Sequence, residues 1–247
     1  YPNMVVLKAD SARALKLTEC SAEYPDRMFG VGISEADLVS TAAGMATTGL
    51  IPIVVGFSMF VSEKPFEQIR QAIAYPNLNV KIVATHAGLC VGQDGATHQA
   101  LEDIAVMRTL PNFKVFVASD VTETKAAVTA MLEHDGPAYL RLGRDLAEDI
   151  FEGTKTFVPG GVYVLKEGDD VTIAACGLMV EQALLAASAL KKDGINATVI
   201  TTYSITPLPD ELFITQAKKT GAFVTAEYHS ILGGLVGDVG DNISQTH

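Results

Sequence analysis

The sequence predicts an α/β protein built as two consecutive three-layer α/β domains with mostly parallel sheets. Three observations lead there. Short Val- and Ile-rich runs alternate with longer segments whose apolar residues recur at helical spacing, the pattern of helices laid on the faces of a sheet. The runs are apolar throughout, as in strands buried on both faces. The rhythm breaks once, over residues 146–160 (LAEDIFEGTKTFVPG), where acids, Gly and Pro replace it. A first domain over residues 1–145, a linker over 146–160 and a second domain over 161–247 follow.

In chain order, the first domain is expected to hold strands at 4–7, 51–55, 80–84, 115–117 and 138–142. Helices are expected at 37–47, 65–75, 99–108 and 121–133. Ser34-x-x-Asp37 matches a capping box, so a helix should start there. Glu35 then falls in its first turn, near the positive end of the helix dipole, where an acid is favourable for structural reasons alone. The small residues behind it (Ala42, Ala43, Gly44, Ala46) allow close approach by a second surface. The second domain is expected to place strands at 163–165, 171–175, 197–202 and 222–226 around helices at 180–192 and 209–219. The Gly-rich stretch 233–242 (GGLVGDVGDN) lacks the spacing of a dinucleotide fingerprint, and no Lys-Ser/Thr follows it. It reads as the point where the second domain is cut short.

Composition narrows the function. With 48% apolar and 19% charged residues in 247, the chain is not disordered. No apolar run approaches the ~18 residues of a membrane span, and no signal-peptide pattern opens the chain, so a soluble, cytoplasmic protein is expected. The net charge of −11, without a basic patch, excludes nucleic acid as a partner. All six arginines (Arg13, Arg27, Arg70, Arg108, Arg141, Arg144) lie in the first domain, so a phosphate site belongs there. Cys20, Cys90 and Cys176 are widely spaced; they suggest a reduced compartment and buried small apolar residues, with no zinc site.

Four segments could carry chemistry, each just past a predicted strand or at a helix start. Residues 85–99 (THAGLCVGQDGATHQ) gather His86, Asp94 and His98 in a loop long enough to be functional. Residues 30–46 hold Glu35. Residues 56–70 hold Phe57 and Phe60, at a spacing seen in cores as well as in cofactor platforms. Residues 139–145 hold Arg141 and Arg144 at a strand end, where arginines take phosphate or pair at the surface.

In this order the segments resemble the C-terminal half of transketolase, and most closely the C-terminal subunits of split-gene transketolases. The resemblance runs from about Val5 to the end of the chain. It rests on GISEADLVSTAAGMA, AYPNLNVKIVATHAGLCVGQDGATHQALEDIA and GPAYLRLGR. It implies a pyrimidine-binding domain followed by a C-terminal domain, and a thiamine-diphosphate-dependent transferase of carbohydrate metabolism, as in the pentose phosphate pathway. By that resemblance Glu35 matches the acid that hydrogen-bonds the aminopyrimidine ring and favours its proton-abstracting tautomer, and Phe60 matches the stacking aromatic, with Phe57 beside it. Asp94 and His98 match residues that contact the donor ketose hydroxyls, with His98 assisting proton transfer. His86 and Arg144 match residues that hold the sugar phosphate, with Arg141 as a helper. Asp10 matches the acid near the thiazolium.

Three departures bear on specificity. Gln93 stands where a glutamate is common, the residues around Glu35 differ from common forms, and an N-terminal helix with a phosphate-binding arginine is not in the sequence. The family's Gly-Asp-Gly…Asn motif, which holds magnesium (or calcium) and the diphosphate, is missing as well. The resemblance therefore implies a partner, an N-terminal transketolase subunit bearing that motif and the metal ligands, in a heterotetramer acting on phosphorylated sugars. A deoxyxylulose-phosphate synthase-like or variant-sugar ketolase is the alternative within the same chemistry. A 2-oxoacid dehydrogenase β-subunit fits less well, because Thr97-His98-Gln99 with Arg144 suits a phosphosugar. A non-catalytic binding subunit would leave Glu35 and His98 idle. In the second domain Glu227 and His229 are the only candidates, and a structural role is expected for both.

Overall fold

The computed structural model describes residues 1–151 and 156–244. The N-terminal half carries β1 (Met4–Lys8), α1 (Thr18–Glu23), β2 (Met28–Gly30), α2 (Glu35–Ala46), β3 (Ile51–Phe57), α3 (Phe66–Gln68), β4 (Lys81–Thr85), α4 (Asp103–Arg108), β5 (Lys114–Val117), α5 (Val121–Glu133) and β6 (Ala138–Arg141). Two π-helical stretches, Met59–Glu63 and Ile69–Ala74, flank α3. The C-terminal half carries β7 (Tyr163–Lys166), β8 (Val171–Ala175), α6 (Met179–Leu190), β9 (Ala197–Thr201), β10 (Ser204–Thr206), α7 (Asp210–Thr220), β11 (Phe223–Ala226) and α8 (Leu235–Ser244).

A seven-stranded sheet runs β10-β5-β6-β4-β3-β1-β2, and a four-stranded sheet runs β11-β8-β9-β7. Pairing is parallel except for β10 on β5 and β7 on β9. The fully apolar runs are buried on both faces, as expected of a covered parallel sheet. On one face of the larger sheet, Leu38, Val39, Ile69, Ile73, Ile104 and Met107 form a core. On the other, Phe116 and Leu140 meet Ala126, Ala127, Ala130 and Met131 of α5. Each large aliphatic side chain buried this way is worth roughly 1.5–3 kcal/mol. The first core continues into Ala174, Cys176, Ile200, Phe213 and Leu235 of the C-terminal half, so the two halves share apolar packing.

Several elements differ from expectation. β10 pairs with the first sheet although it lies in the second half of the chain; three residues are too few for a periodicity to show. The helix expected at 99–108 starts only at Asp103, because Gln99 is extended and Ala100 bridges to Ala87. The helical stretch expected from 65 begins at Met59. Most of the Gly-rich stretch 233–242, which carries no helical expectation, is helical, since α8 begins at Leu235. Ala42 and Ala43 face the core, while Gly44 is exposed. Of the cysteines only Cys176 is buried; Cys20 and Cys90 are half-buried. Residues 152–155 of the expected linker lie outside the described residues. Its start is tied down, since Asp120 accepts hydrogen bonds from the Ile150 and Phe151 amides while capping α5. Among the described residues no helix is long and apolar enough to cross a membrane.

Candidate active site

Because β1, β3, β4 and β6 run in parallel, their carboxyl ends share one edge, and the residues that follow them converge there. A cavity of about 520 Å3 opens at this edge, lined by Arg13, Lys16, Phe57, Thr85, His86, Gln93, Asp94 and Arg144, with Ala14, Leu15 and Gly143 between them. A shallower recess of about 540 Å3 adjoins it at Asp10, Ser11, Arg13 and Phe57. Asp10 accepts a hydrogen bond from the Ser11 hydroxyl at 3.1 Å.

One wall is aromatic. Gly56 precedes the last residue of β3, and a side chain there would collide with Val61. The glycine thus lets the Met59–Glu63 turn fold back over the strand end, presenting Phe60. Such π-helical turns cluster at functional sites. The Phe57 and Phe60 rings lie 6.3 Å apart, Phe57 lies 4.1 Å from the His86 ring, and Phe60 meets His98 edge-on at 5.1 Å. Both phenylalanines are half-buried at the rim.

Glu35 opens α2 and is 5% exposed. The helix begins where the capping pattern places it, yet the Ser34 side chain makes no capping bond. Glu35 instead accepts from Lys64 Nζ at 2.5 Å, and that ammonium lies 6.0 Å from the Phe60 ring centroid. Lys64 therefore links the buried acid to the aromatic wall. No sequence pattern pairs residues 29 positions apart.

The loop after β4 supplies the opposite wall. His86 adopts φ 58°, uncommon for a residue other than glycine and a frequent mark of functional constraint. Its Nδ1 is 2.9 Å from the Thr85 hydroxyl. Burial, then the nearby Arg144 charge, push its pKa below the ordinary histidine value, so it is neutral at pH 7. Asp94 and His98 sit on two single 3-10 turns, Gly92–Asp94 and Ala96–His98. Arg144 donates to the Val91 carbonyl, donates to Gln93 Oε1 at 3.1 Å, and approaches Asp94 at 3.7 Å.

Arg13 and Lys16 leave no mark as site residues in the sequence, because their loop has neither motif nor periodicity. Among the described residues neither side chain has a hydrogen-bond or ion-pair partner. With Arg144 they place three basic side chains around a cavity whose only lining carboxylate among the described residues is Asp94, in a protein of net charge −11. That local excess suits an anionic ligand.

Arg141 requires a correction. It is buried and absent from the cavity lining; its Nε donates to Asp103 and its Nη2 to the Ala100 and Tyr228 carbonyls. It ends β6 inside the protein, paired with a buried carboxylate and apart from the cavity. Glu227 accepts from the Leu235 and Val236 amides and so caps α8, and His229 is buried beside α4.

The geometry fits one end of the cofactor that the resemblance implies. A buried carboxylate beside two rim aromatics can take an aminopyrimidine ring. The metal–diphosphate end does not fit: among the described residues no group of three or more His, Cys, Asp or Glu could hold a metal ion, and the sequence has no Gly-Asp-Gly.

Fold and edge together define a two-domain α/β protein with a composite polar cleft at the carboxyl ends of a parallel sheet. Residues 1–149 match the family model of the transketolase pyrimidine binding domain, and residues 160–247 match that of the transketolase C-terminal domain. A putative transketolase C-terminal section from Methanocaldococcus jannaschii is 44% identical over 247 residues, covering 99% of this chain and 77% of that protein. A 6-deoxy-6-sulfo-D-fructose transketolase subunit from a Clostridium species is 40% identical over 232 residues, covering 94% and 72%. A solved split-gene transketolase, described as an inactive β4 tetramer, superposes with a TM-score of 0.92 at 46% identity, covering all of this chain and 80% of that one. The chain belongs to the transketolase family and corresponds to the polypeptide that carries the pyrimidine-binding and C-terminal domains in its split-gene members.

Proposed function

We propose that this chain is the C-terminal subunit of a thiamine-diphosphate-dependent transketolase, moving a two-carbon ketol unit from a ketose phosphate to an aldose phosphate. We read residues 1–145 and 161–247 as its two domains, joined by 146–160. The observation that carries the reading is the convergence, at one sheet edge, of a buried acid, an aromatic wall and a cation-rich cavity. An N-terminal subunit with a Gly-Asp-Gly…Asn domain would bring the diphosphate and its magnesium or calcium, in a heterotetramer. The names of the relatives, a sulfo-sugar transketolase subunit among them, agree with an anion-bearing sugar.

When bound, the cofactor supplies a nucleophilic carbon that accepts and releases the ketol unit. The chain's own residues do the rest. Glu35 shares a proton with the ring nitrogen it faces, and Lys64, whose side chain is half exposed, can swing away from it. Phe57 and Phe60 orient the ring and exclude water. Asp94 and His98 hold the sugar hydroxyls near the reacting carbon, with His98 moving protons at the hydroxyl oxygen. Neutral His86 donates one hydrogen bond, and Arg144, Arg13 and Lys16 supply charge to the anionic end.

The test is ketol transfer from xylulose 5-phosphate to ribose 5-phosphate with thiamine diphosphate and magnesium. Activity is expected only when this chain is mixed with the partner subunit. Activity from the chain alone would overturn the account of where the diphosphate sits. Silence from a complex shown to be assembled would overturn the choice of sugars.

A further inference from the structure

A buried carboxylate of the first domain lies against His229 of the second. Asp103, the first residue of α4, has no solvent exposure, and its Oδ2 accepts hydrogen bonds from the Ser58 hydroxyl, the Tyr139 hydroxyl and Arg141 Nε, each at 2.8 Å. Burial alone would raise this carboxyl, but the Arg141 charge and the donated bonds hold it below the ordinary range. Ser58 adjoins Phe57, so the hub reaches the aromatic wall. Arg141 also reaches away from the hub, and its Nη2 donates to the Ala100 carbonyl at 3.2 Å and the Tyr228 carbonyl at 2.7 Å. The Ala100 carbonyl takes a second bond, from the Gly88 amide at 2.9 Å, while the Ala87 amide donates to Leu142. The two ends of the loop that carries Asp94 and His98 are thereby closed on each other and onto Arg141.

The second domain meets this closure at three consecutive residues. The Tyr228 carbonyl takes the Arg141 bond. His229 Nε2 accepts the Ala105 amide at 3.3 Å, an N–H in the first turn of α4 without an intrahelical acceptor, while its Nδ1 donates to the Ser230 carbonyl at 2.7 Å. The Ser230 amide donates to the Leu101 carbonyl at 2.9 Å. The fit is close: at Gly88, with φ +80°, an added Cβ would stand 2.9 Å from Tyr228 Cβ. The buried His229 ring lies 3.9 Å from Asp103 Oδ1, which has no hydrogen-bond partner among the described residues.

We infer that the segment 228–230 of the second domain is a clamp that sets the position of the active-site loop 86–101, with His229, Arg141 and Asp103 as positioning residues. The second domain thus takes part in the chemistry although, among the described residues, no side chain of it lines the cavity. The catalytic consequence rests on the ketol-transfer reading above; the structural one does not.

Amide exchange on the full chain and kinetics on the assembled complex test the clamp separately. In His229→Ala, exchange over residues 87–105 is expected to speed up by at least about tenfold while β1 and β3 keep their protection. In the complex, kcat falls by roughly tenfold to a hundredfold with the KM for the ketose phosphate near wild type, because Asp94 and His98 are displaced rather than removed. His229→Gln retains an acceptor for the Ala105 amide and restores part of both. Where His229→Ala does not fold, Tyr139→Phe removes a single hydroxyl from the hub and shows the same pair of effects in smaller measure. Unchanged exchange over 87–105 overturns the clamp, as does a lowered melting temperature with kcat per assembled complex intact. Where the wild-type complex shows no ketol transfer, the exchange result alone decides the clamp, and the ketolase reading falls independently.

Discussion

At the carboxyl edge of the seven-stranded sheet, the residues that follow β1, β3, β4 and β6 do not fill the space between them. They leave a cavity lined by cations, His86 and Phe57, with His98 and Phe60 packed beside them. At the carboxyl edge of the four-stranded sheet, the residues that follow β8, β9 and β11 are Cys176, Thr202 and Glu227, and each is taken up internally. Cys176 lies in the core shared with Val115 and Val117, and burial pushes its thiol up to about 12, which leaves it inert. The Thr202 amide bonds back to Ala175, and Glu227 caps α8. The strand-end rule for ligand sites therefore needs a second condition. The edge must be left open by what packs on it, and here one edge is spent docking against the other domain.

Four measurements break or sharpen that contrast. The largest effect is expected at the open edge. Glu35→Gln should lower ketol transfer by the assembled complex on the order of 10²–10⁴-fold, with little change in melting temperature, since its only side-chain partner is half exposed. Turnover near wild type would remove the open edge from the chemistry.

Next comes a matched pair. Asp103→Ala leaves the buried Arg141 charge unpaired and should cost about 3–5 kcal/mol of stability. Asp94→Ala, at the partly exposed rim, should cost less than about 1 kcal/mol. Urea unfolding of the full chain measures both, and equal losses would erase the distinction between rim and interface.

A third measurement concerns pH. Glu123 is buried between the domains, accepting from the Ser119 amide and hydroxyl and from Thr201 of β9. Burial outweighs those bonds and raises its pKa from 4.5 to about 7. Between those values the folded carboxyl holds a proton that the unfolded one has lost. Its contribution is therefore complete below about pH 4.5 and is lost as pH rises through 7, amounting to at most ~3 kcal/mol. Glu123→Gln should flatten that part of the stability–pH curve. A curve identical to wild type would show that the interface leaves Glu123 as wet as the rim.

The smallest effect is expected at Arg13. Arg13→Ala should leave stability unchanged and raise the KM for a phosphorylated ketose by about tenfold, the worth of one charge-assisted hydrogen bond. Equal KM changes for phosphorylated and neutral ketoses would show that Arg13 does not read the anion.

Much of the fold and of the open edge is legible in the amino-acid sequence. The apolar strands at 51–57, 171–175 and 197–201 announce themselves because a two-face buried strand needs an uninterrupted apolar run. The loop from Thr85 to Gln99 stands out because convergent polar residues past a strand have little structural use. Glu35, Phe57, Phe60, His86, Asp94, His98 and Arg144 all come to the open edge, and Asp10 to the recess beside it. Other features leave no local trace. β10 is three residues long and pairs with a strand nearly ninety positions earlier. Lys64, Arg13 and Lys16 carry no periodicity, and α8 is obscured by its glycines. Arg141 and Arg144 look equivalent in YLRLGRD, yet one ends inside a strand and the other three residues on.

The sequence by itself determined the fold class, the family and the residues around which a site is built, because apolar periodicity and strand-end motifs are local properties of the chain. Only the tertiary structure decided which strand ends stay open, which arginine lines the cavity and which is paired with a buried carboxylate, and that residues 228–230 of the second domain bond to Leu101, Ala105 and Arg141. Those outcomes depend on packing between residues tens of positions apart, and burial sets whether a charged group is free to bind or already paired.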